Sequence, residues 1–166
     1  SMPSLYAFFQ AAWLRLAGDN VFGLRLPWAI VGTLSVLGAY MLVRRLFGRG
    51  LALIVAVLLA GYHYHIHYSR LGLNNIADPF FVVWALYFMV MGCQGGRRWP
   101  WVMSGLVAGL ALFFYTGGRQ VAVILAGVIV WAALTEPGFI SRSRAGLAAM
   151  LLGLVVAAGP MLLFAL

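Results

Sequence analysis

Charged side chains are scarce in this sequence. Only 8% of its 166 residues are Asp, Glu, Lys or Arg, whereas 64% are hydrophobic. A soluble domain of this length carries about a quarter charged residues, so the composition excludes an ordinary soluble domain. The apolar runs are long and unbroken, which argues against the short alternating segments of a β-barrel. The 20 glycines and the 14% aromatic content are typical of helices that pack closely within a membrane.

Lysine is absent and there are only three acids, so the net charge of +8 comes from eleven arginines. Most arginines lie in short gaps between apolar runs, as in the positive-inside pattern, and not in a basic stripe suited to phosphodiesters. We therefore expect no nucleic-acid partner. The single cysteine, Cys93, excludes an internal disulfide. No Gly-rich phosphate loop, Ser/His/Asp order or HExxH segment occurs, so no nucleotide site is expected.

Six apolar runs are predicted to be transmembrane helices, since about 20 residues cross a bilayer. These runs cover about 23–43, 50–66, 75–93, 100–116, 119–135 and 146–166. About five are expected to cross fully, because the run 50–66 is the shortest and ends in a polar cluster. The segment at about 4–17 is short and amphipathic, which predicts an interfacial helix. The predicted fold is therefore all-α, a polytopic transmembrane helix bundle with an N-terminal interfacial helix in a single domain, 1–166.

The arginines are distributed unequally between the two sides of the predicted bundle. The gaps 44–50, 94–99 and 136–145 share one side and hold seven arginines, whereas four lie on the other side. The arginine-rich side is therefore expected to be cytoplasmic. Because the chain ends inside an apolar run and shows no signal peptide, we expect it to be an internal piece of a longer integral membrane protein.

Polar residues concentrate on the opposite, outer side. All three histidines and two of the three acids lie there, next to solitary arginines. Ionised groups near apolar spans usually face a water-filled cavity, because an ionised side chain at mid-bilayer costs about 2.5–3.5 kcal/mol. A guanidinium offers a fork of donors suited to phosphate, and Asn or Asp can position a sugar hydroxyl. The candidate substrate-binding residues are Arg70, Arg119, Arg25, Asn75, Asp78, His67 and Tyr115.

Several of these residues also have structural explanations. Arg70 and Arg119 could be arginines that extend to the membrane interface. Asp78 precedes Pro79, and this pair is typical of a helix N-cap followed by the first helical residue. His63 and His67 are spaced like zinc ligands on a helix, but no cysteine completes a set and Asp78 is the only carboxylate in range. We expect no metal site and no cofactor, and leave a divalent cation open.

Four segments together resemble a known family. Pro3–Tyr6 is similar to a His-Pro-Pro-Leu segment in its first outer loop, although Met2 stands in place of the histidine. Phe22–Pro27 resembles the start of its second span, and Tyr40–Gly48 resembles the following helix end and cytoplasmic turn. His67–Arg70 resembles its Ser-Arg motif, but Asn75 stands where the family has an acid. The chain thus resembles the first half of a GT-C membrane glycosyltransferase of the protein O-mannosyltransferase and aminoarabinose-transferase kind.

The resemblance implies a hexosyl or pentosyl transferase that uses a polyprenyl-phosphate-linked sugar donor. The acceptor would be a protein or a lipid on the outer face of a bacterial or archaeal plasma membrane. Arg70, with Arg25 or Arg119, would hold the carrier phosphate. The general base would be an acid in a loop before Ser1, so no catalytic residue is expected in this chain. A lipid-carrier transporter or flippase and a non-catalytic membrane scaffold are the alternative functions.

Overall fold

The computed structural model describes residues 5–71, 73–114 and 116–165, and within them it is helical without any strand. The helices are α1 (Leu5–Ala17), α2 (Val21–Phe47), α3 (Arg49–Gly61), α4 (His63–Leu71), α5 (Ala77–Gly95), α6 (Trp99–Ala111), α7 (Arg119–Thr135) and α8 (Phe139–Ala165). Short 3-10 turns cover Asn74–Ile76 and Thr116–Gly118. The predicted all-α polytopic helix bundle is therefore confirmed.

The helices differ in whether their length suits a membrane crossing. Among the described residues, Val21–Phe47, Asn74–Gly95 and Phe139–Gly159 are long and apolar enough to span a bilayer. Helices α3 and α4 would form a fourth span if counted together, but they are bent by 56° relative to each other. Helices α6 and α7 are apolar and shorter. The number of helices that cross the membrane stays a prediction.

The run predicted over 50–66 is divided between two helices, because α3 ends at Gly61 and the chain bends at Tyr62. The backbone of Tyr62 is extended, with φ −70° and ψ 120°, and it terminates α3 before α4 begins at His63. The residues that follow are mainly His and Tyr, and their polar groups tolerate the membrane interface. The predicted run combined an apolar helix with the start of a polar one that has a different direction.

Close backbone contact holds α6 against α8. A Cβ on Gly105 would lie 2.8 Å from the Leu154 amide nitrogen and would overlap the Met150 carbonyl oxygen. A larger residue than Gly therefore cannot occupy this position without separating the helices. Ser104 Oγ donates a 2.8 Å hydrogen bond to the Ala85 carbonyl oxygen, which also joins α6 to α5. Small residues at helix interfaces are the usual means of packing in a membrane, where lipid tails are as apolar as leucine.

The connections between helices meet at two ends of the bundle. We call the end that holds residues 18–20, 62–71, 73–76, 112–114 and 116–118 the polar end, where Asn74 Nδ2 donates a 2.7 Å bond to the Phe114 carbonyl oxygen. The other end is the basic end, where Arg45 Nη1 donates a 3.2 Å bond to Gln94 Oε1. Seven arginines belong to the basic end: Arg44, Arg45, Arg49, Arg97, Arg98, Arg142 and Arg144.

Helix α1 is joined to the polar end of the bundle through a buried polar pair. Trp28 of α2 is fully buried, and its Nε1 donates a 2.7 Å hydrogen bond to Gln10 Oε1. Tyr6 and Phe9 pack on the Trp28 ring with centroid distances of 5.5 and 5.6 Å. One face of α1 therefore rests on α2, while Phe8 stays exposed. That α1 lies in the membrane interface stays a prediction.

Candidate functional site

Two of the predicted site arginines line the same cleft at the polar end. Arg25 lies in the second turn of α2 and Arg70 in the last turn of α4, and both are exposed. With Ser69, Leu26 and neighbouring residues of α2, they enclose about 410 Å³. The ion pairs of the described residues include neither arginine. Two guanidinium groups in one open cleft provide donors for a doubly charged anion such as a phosphate.

A second cleft continues from the first along α2. It measures about 510 Å³ and again includes Ser69 and Arg70. Apolar side chains of α2, α3 and α4 form most of its wall: Ala29, Val36, Leu37, Ala60 and Ile66. Arg70 thus lies at the junction between a cationic cleft and an apolar one. This combination suits an amphiphile whose anionic group lies beside a hydrocarbon chain.

Helix α4 is positioned by close contact with Gly32 of α2. His65 is 8% exposed, and its Nε2 lies 3.0 Å from the Gly32 carbonyl oxygen. Because a carbonyl oxygen can only accept, Nε2 is the donor of this hydrogen bond. A Cβ on Gly32 would lie 2.8 Å from Ser69 Cβ, so only Gly allows α4 to approach so closely. The contact places Ser69 and Arg70 beside the first half of α2.

Asp78 and Asn74 form a separate cluster beside the turn that precedes α7. A Cβ on Gly117 would lie 2.8 Å from the Asp78 carboxyl carbon, so this carboxyl group rests directly on the turn. The Asn74 side chain is hydrogen-bonded to Phe114 in the same region. The two residues therefore share one face, as their spacing predicts, but that face is directed toward the α6–α7 connection. No ion pair joins Asp78 to Arg70 or Arg119 among the described residues.

The N-cap interpretation of Asp78 is wrong. Helix α5 begins at Ala77, Ile76 occupies the N-cap, and Asp78 lies within the first turn. A 3-10 turn over Asn74–Ile76 precedes the helix and continues its direction, so the chain needs no side-chain cap there. Acidic residues in a first turn are favoured by the helix dipole. Asn74 and Asp78 are thus available for contacts outside their own helix.

Arg119, Asn75 and His67 also lie at the polar end of the bundle, in three different elements. Arg119 is exposed and begins α7, whereas Asn75 is half-buried in the 3-10 turn. His67 is exposed and its ring stacks on His63, with centroids 5.9 Å apart. Tyr115 lies outside the described residues. Among the residues that the structure describes, no group of three His, Cys, Asp or Glu side chains could hold a metal ion.

Two residues with a clear role at this end were not among the predicted site residues. His65 fixes α4 on α2, and Gln10 fixes α1 on Trp28. Gln10 lies among apolar residues of α1, and His65 lies among the other His and Tyr residues of α4, and both patterns are also typical of an interface anchor. Only their low exposure, 8% for His65 and 7% for Gln10, distinguishes a residue that joins two helices from an interface anchor. The small residue Gly32 on α2 is the signal that a polar side chain of another helix, here His65 of α4, could reach the α2 backbone.

Comparison with family models gives a match over nearly the whole chain. The model described as dolichyl-phosphate-mannose-protein mannosyltransferase matches residues 1–163. Comparison with curated proteins gives no match. Comparison with solved structures also gives none. The family match covers the segments in which Arg25, Arg70 and Asp78 lie.

Proposed function

The chain belongs to the dolichyl-phosphate-mannose-protein mannosyltransferase family, and we propose that it forms part of an enzyme that takes a sugar from a polyprenyl-phosphate carrier. Membership in this family assigns the chain to the integral membrane glycosyltransferases. The acceptor in our proposal is a protein or lipid hydroxyl on the outer face of the membrane. The observation that carries the proposal is the cleft that Arg25 and Arg70 share.

Arg25 and Arg70 would bind the carrier phosphate. A polyprenyl-phosphate sugar places one anionic group next to a long hydrocarbon chain, which matches a cationic cleft that continues into an apolar one. The charge-assisted bonds of Arg fix a phosphate in position more firmly than neutral donors do. The hydrocarbon chain would lie along the apolar wall that α2, α3 and α4 form.

The same arginines would assist the chemical step. During transfer the bond between sugar C1 and the phosphate oxygen breaks, the acceptor oxygen bonds to C1, and the hydroxyl proton passes to a base. Negative charge therefore accumulates on the leaving phosphate. Donors already oriented toward that charge lower the barrier, because they need not reorganise during the reaction. We propose no general base among the residues of this chain.

Asp78 and Asn75 would act on the acceptor side of the same end. Asp78 rests on the turn before α7, where Arg119 begins the helix. A carboxylate accepts hydrogen bonds from hydroxyl groups, and an amide both donates to them and accepts from them. His67 is exposed at this end and would contact the polar part of the donor or of a lipid headgroup. We infer these roles from the positions of the three residues at the polar end. Kinetic measurements on variants can separate each role from binding of the carrier.

The test is sugar transfer by the full-length protein with Arg70 replaced. We expect Arg70→Ala to lower kcat/KM by about 100-fold, as expected when an oriented transition-state donor is removed. Arg70→Lys keeps the charge without the planar fork and should retain part of the activity. Arg15→Ala, an exposed arginine of α1 outside both clefts, is the matched control. Normal transfer by a well-expressed Arg70→Ala variant would instead favour a scaffold or a flippase.

A further inference from the structure

A third cleft opens at the basic end, opposite the proposed carrier site. It measures about 470 Å³, within the range of about 300–1,000 Å³ typical of small-molecule sites. Helices α5 and α7 form its two long walls, Leu42 and Leu46 of α2 also line it, and the start of α8 closes it at the basic end. Deep in the cleft the wall is apolar, with Leu86, Val90 and Val128 among its residues. The proposed glycosyltransferase function makes no use of this cleft.

The mouth of the cleft is polar and carries a cation. Arg142, Glu136, Ser143 and Gln94 lie there. Arg142 Nη2 donates to Glu136 Oε2 at 2.9 Å, but both side chains are more than half exposed, at 71% and 57%. Exposed ion pairs contribute only about 0–1 kcal/mol, so this pair can open at small cost to admit another anion. The cleft therefore has one cationic end and one hydrocarbon end.

A second arginine lies beside the mouth. Arg45 bonds to Gln94, which itself lines the cleft, and its guanidinium lies 5.5 Å from the centroid of the Tyr87 ring. These two contacts hold the Arg45 head close to the mouth without an acidic partner among the described residues. A headgroup phosphate at Ser143 and Arg142 would be within the electrostatic influence of this second cation.

The charge balance of the basic end selects an anionic occupant. Seven arginines lie at this end against a single acid, Glu136. Each basic residue close to an anionic membrane surface contributes about 1 kcal/mol of attraction, and basic pockets between transmembrane helices bind anionic headgroups. A zwitterionic phospholipid has no net charge to satisfy this excess. The apolar deep part of the cleft fits a single acyl chain, and its cationic mouth fits an anionic headgroup.

We propose that the α5–α7 cleft is a binding site for an anionic phospholipid of the leaflet that meets the basic end. One acyl chain lies between α5 and α7, and the headgroup phosphate lies at Arg142 and Ser143. The lipid would fill the cleft that these two helices line. This site is distinct from the carrier site in position, because the two lie at opposite ends of the bundle.

Trp131 provides a reporter for this site, since it lines the cleft and is 65% exposed. The full-length protein is reconstituted with phospholipids whose acyl chains carry bromine, which quenches tryptophan fluorescence on contact. The quenching that is lost in Trp131→Phe measures the contribution of this tryptophan alone. Brominated phosphatidylglycerol is compared with brominated phosphatidylcholine at equal mole fractions. We expect phosphatidylglycerol to occupy the site about fivefold more readily.

Matched charge variants then locate the headgroup. Arg142→Gln should abolish most of the preference for phosphatidylglycerol, whereas Arg144→Gln removes the same charge from a position outside the cleft and should preserve it. Glu136→Gln frees Arg142 and should increase the preference. Equal quenching by the two lipids, or no quenching of Trp131 by either, would overturn the proposal. An equal loss of the phosphatidylglycerol preference in Arg142→Gln and Arg144→Gln would also overturn the proposal. The preference would then come from the general positive charge of the basic end and not from the cleft.

Discussion

The carboxyl group of Asp78 rests on Gly117, so the first turn of α5 directly contacts the turn that precedes α7. This contact joins two segments of the polar end that are far apart in the sequence. It is strengthened by the hydrogen bond from Asn74 to the Phe114 carbonyl oxygen. The position of the carboxyl group at the proposed acceptor side therefore depends on the absence of a side chain at position 117.

Gly117→Ala should displace the Asp78 carboxyl group and destabilise the protein. The new Cβ would overlap a carboxylate oxygen, but the carboxyl group can rotate away, so we expect a cost of about 1 kcal/mol. Thermal unfolding in detergent measures it. Gly127→Ala on α7, where a Cβ meets nothing within 4 Å, is the control. The Asp78→Ala, Gly117→Ala double variant should recover the loss, and equal effects of the two single Gly variants would refute the contact.

Gly105→Ala should have a larger effect, because the atoms it meets belong to the α8 backbone. The backbone cannot rotate away, so α6 and α8 must separate, and we expect a loss of about 2–3 kcal/mol of stability. Gly159→Ala on α8 is the matched control, since a Cβ there meets nothing within 4 Å. Unfolding by heat or denaturant compares the two variants. Similar stability of both would show that α6 and α8 are not in such close contact.

Gln10→Leu should release α1 from the bundle. The substitution leaves Trp28 Nε1 buried without its acceptor, which costs about 1–3 kcal/mol. Amide hydrogen exchange across 5–17 should then increase, whereas Leu16→Ala, at a position 81% exposed, should leave it unchanged. Replacing both partners, as Gln10→Leu with Trp28→Phe, removes the unpaired donor. The double variant should exchange more slowly than Gln10→Leu, and faster exchange would argue against the hydrogen bond.

His65→Ala should impair sugar transfer without contacting any substrate. Its ring holds α4 on α2, so its loss allows Arg70 to move. A displacement of about 1 Å can cost up to about 100-fold in rate, and we expect a rise in KM for the donor. His63→Ala, exposed on the same helix, is the control. Because His65 acts as a positioning residue, a His65→Asn variant that keeps a donor should recover part of the loss. Equal kinetics of the His63 and His65 variants would contradict this role.

Hydropathy in the sequence carries most of the information on the helices. Helix α7 covers 119–135, the same range as the predicted apolar segment, and α2 extends the predicted 23–43 by a few residues at each end. Charged and Gly residues end these apolar runs, so the sequence defines them locally. The break at Tyr62 was not predicted, because His and Tyr neither stop a helix nor reveal its direction.

The site was predicted only in part, because its assembly depends on packing between helices. The sequence places Arg25 and Arg70 on the same side of the bundle but contains no local signal that they share a cleft. That proximity depends on the contact of α4 with Gly32, which is nonlocal. Asn74 and Asp78 were correctly expected on one face, yet their partners, Phe114 and Gly117, could not be identified from spacing.

The most direct measurement compares the affinity of the full-length protein for a polyprenyl phosphate and for the free polyprenol of equal length. The ratio of the two affinities isolates the contribution of the phosphate to binding, because both ligands carry the same hydrocarbon chain. We expect the wild type to favour the phosphate by at least about tenfold, as two charge-assisted arginine contacts allow. The Arg25→Ala, Arg70→Ala double variant, with unchanged thermal unfolding, should bind both ligands alike. A double variant that still prefers the phosphate as strongly as the wild type would contradict the proposed carrier site.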